Sequence, residues 1–181
     1  MLEYIIDGTV SDNDLKLVKE EIINIDVIKE KEYLIMDRGF ADIEFITEDW
    51  IEQLLMYAQR PDVGICGAKL YFPDRSIQHA GVTLGTRGLA GHRCREVQEK
   101  DFKKDDYINI VQDLSAVTAA CFMVRKQLYI DMLGFDEKLA VAFNDVDFCM
   151  KIRTAKYLIV YNPFVEAYHY ESKSRGEDTE N

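Results

Sequence analysis

Leu114 to Gly176 reads LSAVTAACFMVRKQLYIDMLGFDEKLAVAFNDVDFCMKIRTAKYLIVYNPFVEAYHYESKSRG, and the order of its apolar runs, helical spacings and turns decides the fold. Ala119–Val124 is a continuous apolar run, read as a buried strand. Lys126–Leu133 has a helical period and stops at Gly134, a residue suited to the position just past a helix end. Asn144–Thr154 reads as a second helix, and Leu158–Val160 and Val165–Tyr168 read as strands closing a sheet. Strands alternating with helices predict an α/β fold with a mixed, mostly parallel sheet flanked by helices. Asp145 and Asp147 form a close acidic pair beside an aromatic at the start of the second helix; His169, Glu171 and Ser172 follow the last apolar run. Such a gathering of acids, a histidine and small polar residues points to a carboxylate-and-metal site at the rim of the sheet.

Upstream, Val63–Phe72 and Ile77–Leu84 are apolar runs separated by PDRS, which predicts a hairpin. Gly85 to Tyr107 is polar and glycine-containing, a long loop or partly helical insertion of a length usually tied to function or mobility. Thr47 reads as the N-cap of a helix carrying Trp50, Ile51, Leu54 and Leu55 that stops at Pro61, with Glu48 and Asp49 facing its dipole. Glu3–Asp7 reads as a strand ending in turn chemistry, Asp12–Glu21 as a helix, and Ile25–Ile28 and Tyr33–Met36 as short strands. One domain over residues 1–176 is expected, with a tail at 177–181.

The chain has 181 residues, 48% hydrophobic and 30% charged, the composition of a globular domain large enough for its own core. Its net charge of −11, with no concentrated basic patch, argues against nucleic acid as a partner. Cys66, Cys94, Cys121 and Cys149 are widely spaced, with no zinc signature; Cys66, Cys121 and Cys149 sit in apolar runs and read as buried thiols. The N-terminus lacks the marks of a signal peptide and no run approaches the ~20 apolar residues of a membrane span, so a cytoplasmic protein is expected.

The segments RPDVGICGAKLYFPDRSIQHAGVTLG (Arg60–Gly85) and GFDEKLAVAFNDVDFCMKIR (Gly134–Arg153) closely resemble the C-terminal half of the inverting GT-A nucleotide-sugar glycosyltransferases, rhamnosyltransferase-like members above all. The resemblance implies a GT-A-like sheet, with residues 47–176 as the acceptor and catalytic part and residues 1–46 as an abbreviated nucleotide-binding part. It implies transfer of a sugar from a nucleoside diphosphate donor to a glycan or related acceptor, with inversion. Asp145 then stands where the family carries its base, which removes the acceptor hydroxyl proton. The competing reading is helix capping, with Asn144 as N-cap and Asp145 and Asp147 favourable in the first turn. Helical residues two apart point roughly 200° away from each other, so only one of the two acids faces a site squarely. Asp145 is assigned to the chemistry, with Asn144 and Asp147 beside the substrate.

Asp42 in FADIEFITEDW matches the last acid of the family's DxD-type metal motif, where Mg²⁺ or Mn²⁺ is held against the diphosphate. Phe40 and Ala41 replace the motif's earlier positions, and a solvent-facing aspartate at a strand end is the competing reading. By the same resemblance His169 is a further metal ligand, against the plainer reading of a packed histidine. Asp7, Gly8 and Thr9 match the turn that contacts the nucleotide, and Thr118, Ala119 and Ala120 match a segment at the sugars, where small residues permit close approach. His79 and His92 match family wording without a derivable role. The family's first strand and a Gly- and Arg-bearing helix have no counterpart here. Two consequences are expected: a homodimer or partner chain covering the N-terminal sheet edge, and, as an alternative function, a non-catalytic GT-A-like module that binds glycan or assembles with a complete transferase.

Overall fold

The computed structural model describes residues 33–36, 43–85, 90–139 and 143–170. Its axis is strand β3 (Val63–Tyr71), all nine residues of which are buried. β9 (Leu158–His169) lies parallel along one edge of β3; the other edge is shared by two antiparallel strands, β8 (Phe122–Arg125) and β4 (Ile77–His79). β8 covers Ile65–Gly67 and β4 covers Leu70 and Tyr71. β1 (Tyr33–Met36) extends the sheet beyond β8. The outer edge of β9 is divided between β7 (Gln112–Asp113) and β2 (Ile43–Phe45).

Alternating side chains supply two cores. Ile65, Phe122, Val124, Ile159 and Tyr161 project to one face, where α3 (Asn144–Thr154) contributes Phe148, Cys149 and Ile152. Cys66, Ala68, Met123, Val160 and Ala167 project to the other, where α1 (Trp50–Ala58) contributes Trp50, Ile51, Leu54 and Leu55. A short α2 (Lys126–Asp131) follows β8 directly. No helix among the described residues is long and apolar enough to cross a membrane.

The expected α/β layering is present, but among the described residues parallel pairing is confined to β3 and β9; the remaining registers are antiparallel because hairpins and short returns supply them. The two expected C-terminal strands are one strand. Its register slips between Ala68 and Lys69, which face Asn162 and Glu166 respectively. Side chains absorb the extra residues: Asn162 Nδ2 donates to the Gln53 carbonyl (2.9 Å) and Asn162 Oδ1 accepts from the Phe164 N–H (3.1 Å). Thr47, expected as an N-cap, serves this bulge instead. Its hydroxyl donates to the Phe164 carbonyl (2.9 Å) and accepts from the Glu166 N–H (3.0 Å), while Asp49 takes the N-cap position of α1. The run Ile77–Leu84 also breaks: after β4 the chain turns at Gly81, and β5 (Val82–Leu84) pairs with β6 (Ala90–His92) as a separate two-stranded sheet.

The described part of the expected long loop is stitched down. Ile77 donates to the Val97 carbonyl (2.8 Å) and Glu96 to the Ile77 carbonyl (2.7 Å). A polar cluster ties the 3₁₀ turn Glu99–Asp101 to the end of β3. The Tyr71 hydroxyl lies 2.7 Å from Glu99 Oε1 and 2.9 Å from Glu166 Oε1, Arg75 pairs with Glu99 (2.8 Å), and buried Lys69 pairs with Glu166 (2.7 Å). One phenolic proton serves only one carboxylate at a time, so the Lys69 and Arg75 cations balance the pair. The predicted strand at Glu3–Asp7, with the expected exposed edge and covering partner, lies outside the described residues, as do the expected helix at Asp12–Glu21 and the strand at Ile25–Ile28.

Gly81 and Gly85 both have left-handed backbones (φ +93° and +80°), but a Cβ at Gly81 would lie 2.1 Å from Leu114 Cδ1, while at Gly85 it would meet nothing within 4 Å. Gly85→Ala should cost about 1 kcal/mol for backbone strain alone, and Gly81→Ala somewhat more because the end of the Leu114 side chain must move aside; urea unfolding of both variants measures the difference. Burial acts to raise the Glu99 carboxyl, but Tyr71 and Arg75 outweigh it and hold it below its ordinary range. Its contribution to stability is therefore full above the unfolded-state value of roughly 4.3 and lost as pH falls through the lower folded value. Glu99→Gln should lower stability at pH 7 and lose less than the parent on acidification, as read from melting temperatures between neutral and acid pH.

Candidate active site

β8 was expected to begin at Ala119, yet its pairing with β3 begins at Phe122. Side chains take the backbone donors of Thr118, Ala119 and Ala120 ahead of it. The Thr118 N–H donates to His79 Nε2, the Ala119 N–H to Asp145 Oδ2 and the Ala120 N–H to Thr118 Oγ1, each at 3.3 Å. Backbone donors satisfied this way leave the ladder, and the strand becomes a turn. Below the turn, Val117 lies against β3 at Gly67, where a Cβ would come 2.8 Å from the valine side chain.

Asp145 reaches this turn from the first turn of α3. Phe148, Cys149 and Ile152 seat the helix on the sheet, Phe148 packing among Phe122, Tyr129 and Phe135. The helix has the expected bounds but not the expected cap. Phe143, in a left-handed conformation (φ 66°), occupies the N-cap position without a side-chain bond. Asn144 lies inside the helix, and its Oδ1 accepts from the Asp145 N–H (2.8 Å). Asp145 Oδ1 accepts from the Val146 N–H (2.8 Å), leaving Oδ2 directed at Ala119. Asp147 diverges. Its Oδ2 is shielded from solvent, accepts no well-directed hydrogen bond, and is neutralised by the Lys151 ammonium at 2.9 Å, one helical turn on. Asp145 thus stands with Thr118, Ala119 and Ala120, and Asp147 is held by its own helix.

The chain's three histidines lie near one another around the ends of β4 and β9. His79 is 1% exposed, and its Nδ1 lies 2.8 Å from Nδ1 of His92. Burial, then the neighbouring His92, His169 and Arg93, hold His79 well below its ordinary pKa. His169 Nδ1 lies 2.8 Å from Gln78 Oε1, while Gln78 Nε2 donates to the His169 carbonyl (3.2 Å). With that amide orientation a neutral imidazole carries its proton on Nδ1, the form a metal-ligating histidine takes. β2 pairs Ile43 with His169, and Asp42, the residue before Ile43, lies outside the described residues together with Asp7, Gly8, Thr9, Glu171 and Ser172. Among the described residues no three His, Cys, Asp or Glu side chains gather as a metal site.

Sequence reasoning missed the part played by His79, although a histidine inside the apolar run of IQHAG was the available signal. It also missed Gln78, whose position beside the end of β9 follows only from sheet pairing.

No family model matches the chain. It is 45% identical over 140 residues to an uncharacterized protein of Sinorhizobium fredii and 33% identical over 138 residues to the O-antigen biosynthesis protein RfbC of Myxococcus xanthus. Over 136 residues it is 32% identical to the N-acetylglucosaminyl-diphospho-decaprenol L-rhamnosyltransferase of Mycobacterium tuberculosis. Each match covers 71–76% of this chain, which spans 15%, 11% and 44% of the length of these relatives. Among solved structures, GalNAc-T7 with UDP, GalNAc and Mn²⁺ superposes with a TM-score of 0.59 at 13% identity, over 94% of this chain and 38% of that one. The fold is therefore the GT-A fold, and the sequence relatives with functional names belong to O-antigen synthesis and sugar transfer.

Because Val117 fills the space above Gly67, Gly67→Ala should displace the 117–120 turn and cost ~1–3 kcal/mol. Denaturant unfolding measures the cost, and the Ala119 amide resonance, shifted from its parent position, reports the displacement.

Proposed function

We propose that this chain forms the acceptor-side part of a GT-A glycosyltransferase that moves a sugar from a nucleoside diphosphate donor to a glycan or related acceptor with inversion. The observation that carries the reading is the contrast between the two acids of α3. Asp147 is neutralised by Lys151, whereas Asp145 is held by backbone N–H groups against the Thr118–Ala120 turn. Backbone N–H groups orient the Asp145 carboxylate towards the turn, the placement a proton acceptor needs.

In this reading the acceptor hydroxyl hydrogen-bonds to Asp145. Its oxygen attacks the anomeric carbon from the face opposite the diphosphate, the bond to the diphosphate oxygen breaks, and the hydroxyl proton passes to Asp145. The small side chains of Ala119 and Ala120 let the sugars approach the turn, with Thr118 and Asn144 at its borders. Asp7, Gly8 and Thr9 are assigned to the nucleotide. His169, in the tautomer that Gln78 sets, and Asp42 are the residues that would hold Mg²⁺ or Mn²⁺. When bound, such an ion neutralises the charge that builds on the departing diphosphate. Support comes from the relatives named for O-antigen synthesis and rhamnosyl transfer and from a fold shared with a structure containing UDP and Mn²⁺.

Asp145→Asn should lower transfer by roughly 10²–10⁴-fold while nucleoside diphosphate binding persists, because the base acts on the acceptor. Asp147→Asn, which loses the Lys151 pair, should cost only ~0.3–0.5 kcal/mol and reduce transfer by far less. His169→Ala should weaken the rise in melting temperature given by Mn²⁺ with a nucleoside diphosphate. Parent-level transfer in Asp145→Asn eliminates the assignment, and no binding of any nucleoside diphosphate by the parent removes the donor from the reading.

A further inference from the structure

We propose that His79 is a positioning residue: paired with His92, it sets the backbone of Thr118 and Ala119 and thereby the orientation of the Asp145 carboxylate. The inference rests on the reading of Asp145 as the base, but its geometric core does not.

The proton positions follow from the contacts. His79 is buried and its surroundings oppose a cation, so its imidazole is neutral and carries one N–H. Nε2 accepts from the Thr118 N–H, which leaves that proton on Nδ1. Nδ1 then donates to His92 Nδ1 at 2.8 Å, and a neutral His92 carries its own proton on Nε2. This assignment satisfies both contacts with neutral rings; the other tautomer of His79 would set an N–H against the Thr118 N–H.

The site of this pair in the sheet explains what it does. β8 ends its pairing with β3 at Gly67, and β4 takes over at Leu70. Across the gap, the last residue of β4 is His79, and the residues leading into β8 are Thr118 to Cys121. The Ala68 N–H still reaches the Cys121 carbonyl (3.1 Å), so the ladder stops just there. With the Thr118 N–H captured by His79, the next donor along the chain, Ala119 N–H, points to Asp145 Oδ2. An apolar side chain at position 79 would fill the same volume but leave the Thr118 donor unpaired and the turn free to slide. A base displaced by an ångström loses much of its effect, so the imidazole's part is to hold the turn that holds the base.

The test uses the full chain and compares His79→Leu, which keeps volume without polarity, with His79→Gln, whose carboxamide can accept from Thr118 and donate to His92. Long-range ¹H–¹⁵N spectra of the imidazoles, with His92→Asn to assign the signals, should show His79 protonated on Nδ1 and His92 on Nε2. His79→Leu should shift the Thr118 and Ala119 amides and lower kcat roughly ten- to hundredfold, with KM for the nucleotide donor within about twofold; His79→Gln should restore most of kcat. A His79 protonated on Nε2, or a His79→Leu protein with unmoved Ala119 amide and parent kcat, overturns the proposal. Should His79→Leu fail to fold, the imidazole tautomers of the parent and the Ala119 amide of His79→Gln decide. Should the parent show no transfer, the base reading fails by itself, and the tautomers and amide shifts still uphold or refute the positioning geometry.

Discussion

Every residue of β3 is buried, so both its edges must be hydrogen-bonded and both its faces covered. Each large aliphatic side chain it buries stabilises the fold by ~1.5–3 kcal/mol, and the pairings of its two edges arrange the remaining elements. One edge takes a single long parallel partner, β9. The other is shared by two short antiparallel strands that do not meet. The interval between them, opposite Ala68 and Lys69, is where backbone groups leave the ladder and side chains must satisfy them. His79, the Thr118–Ala120 turn and, through Ala119, Asp145 gather at this interval because the sheet is interrupted there.

The same interval is braced from below and beyond. Gly67 lets Val117 press close to β3, and Cys149 Sγ lies 3.5 Å from the Val117 carbonyl, so α3 and the turn share one seat. At the end of β3, Lys69 and Tyr71 bind Glu166 of β9, and Tyr71 with Arg75 binds Glu99 of the stitched-down excursion. Ionic and phenolic groups at this depth are tolerated because each has a partner of opposite charge or a donor. The described part of the excursion also carries Arg93 over Tyr107 and the Cys94 thiol 2.8 Å from the Tyr107 hydroxyl.

Much of the fold was legible in the residues. The helix expected over Asn144–Thr154 is α3 at its observed bounds, and the apolar run from Val63 matched a strand buried on both faces. The turn at PDRS was legible because an aspartate side chain closes it locally, Asp74 Oδ1 accepting from the Ser76 N–H (2.9 Å). The bulge in β9 was not legible. The sequence suggested two separate strands, Leu158–Val160 and Val165–Tyr168, whereas Asn162 and two residues more than a hundred positions earlier, Thr47 and Gln53, supply hydrogen bonds that carry one strand through the bulge.

For the site, the sequence by itself determined that an acidic pair opens a helix after a small-residue segment, since both signals depend on neighbours within a helical turn. The tertiary structure decided how the two acids differ, because Asp145 finds the Ala119 N–H, 26 residues away, while Asp147 finds Lys151 in its own helix. It also decided where β8 begins and what His79 does. The donors of Thr118 and Ala119 are taken by groups on β4 and α3, and no local pattern records an acceptor that arrives from another element. Periodicity and turn chemistry are local and can be read along a chain; hydrogen-bond partners at an interrupted sheet edge exist only once the strands are laid side by side.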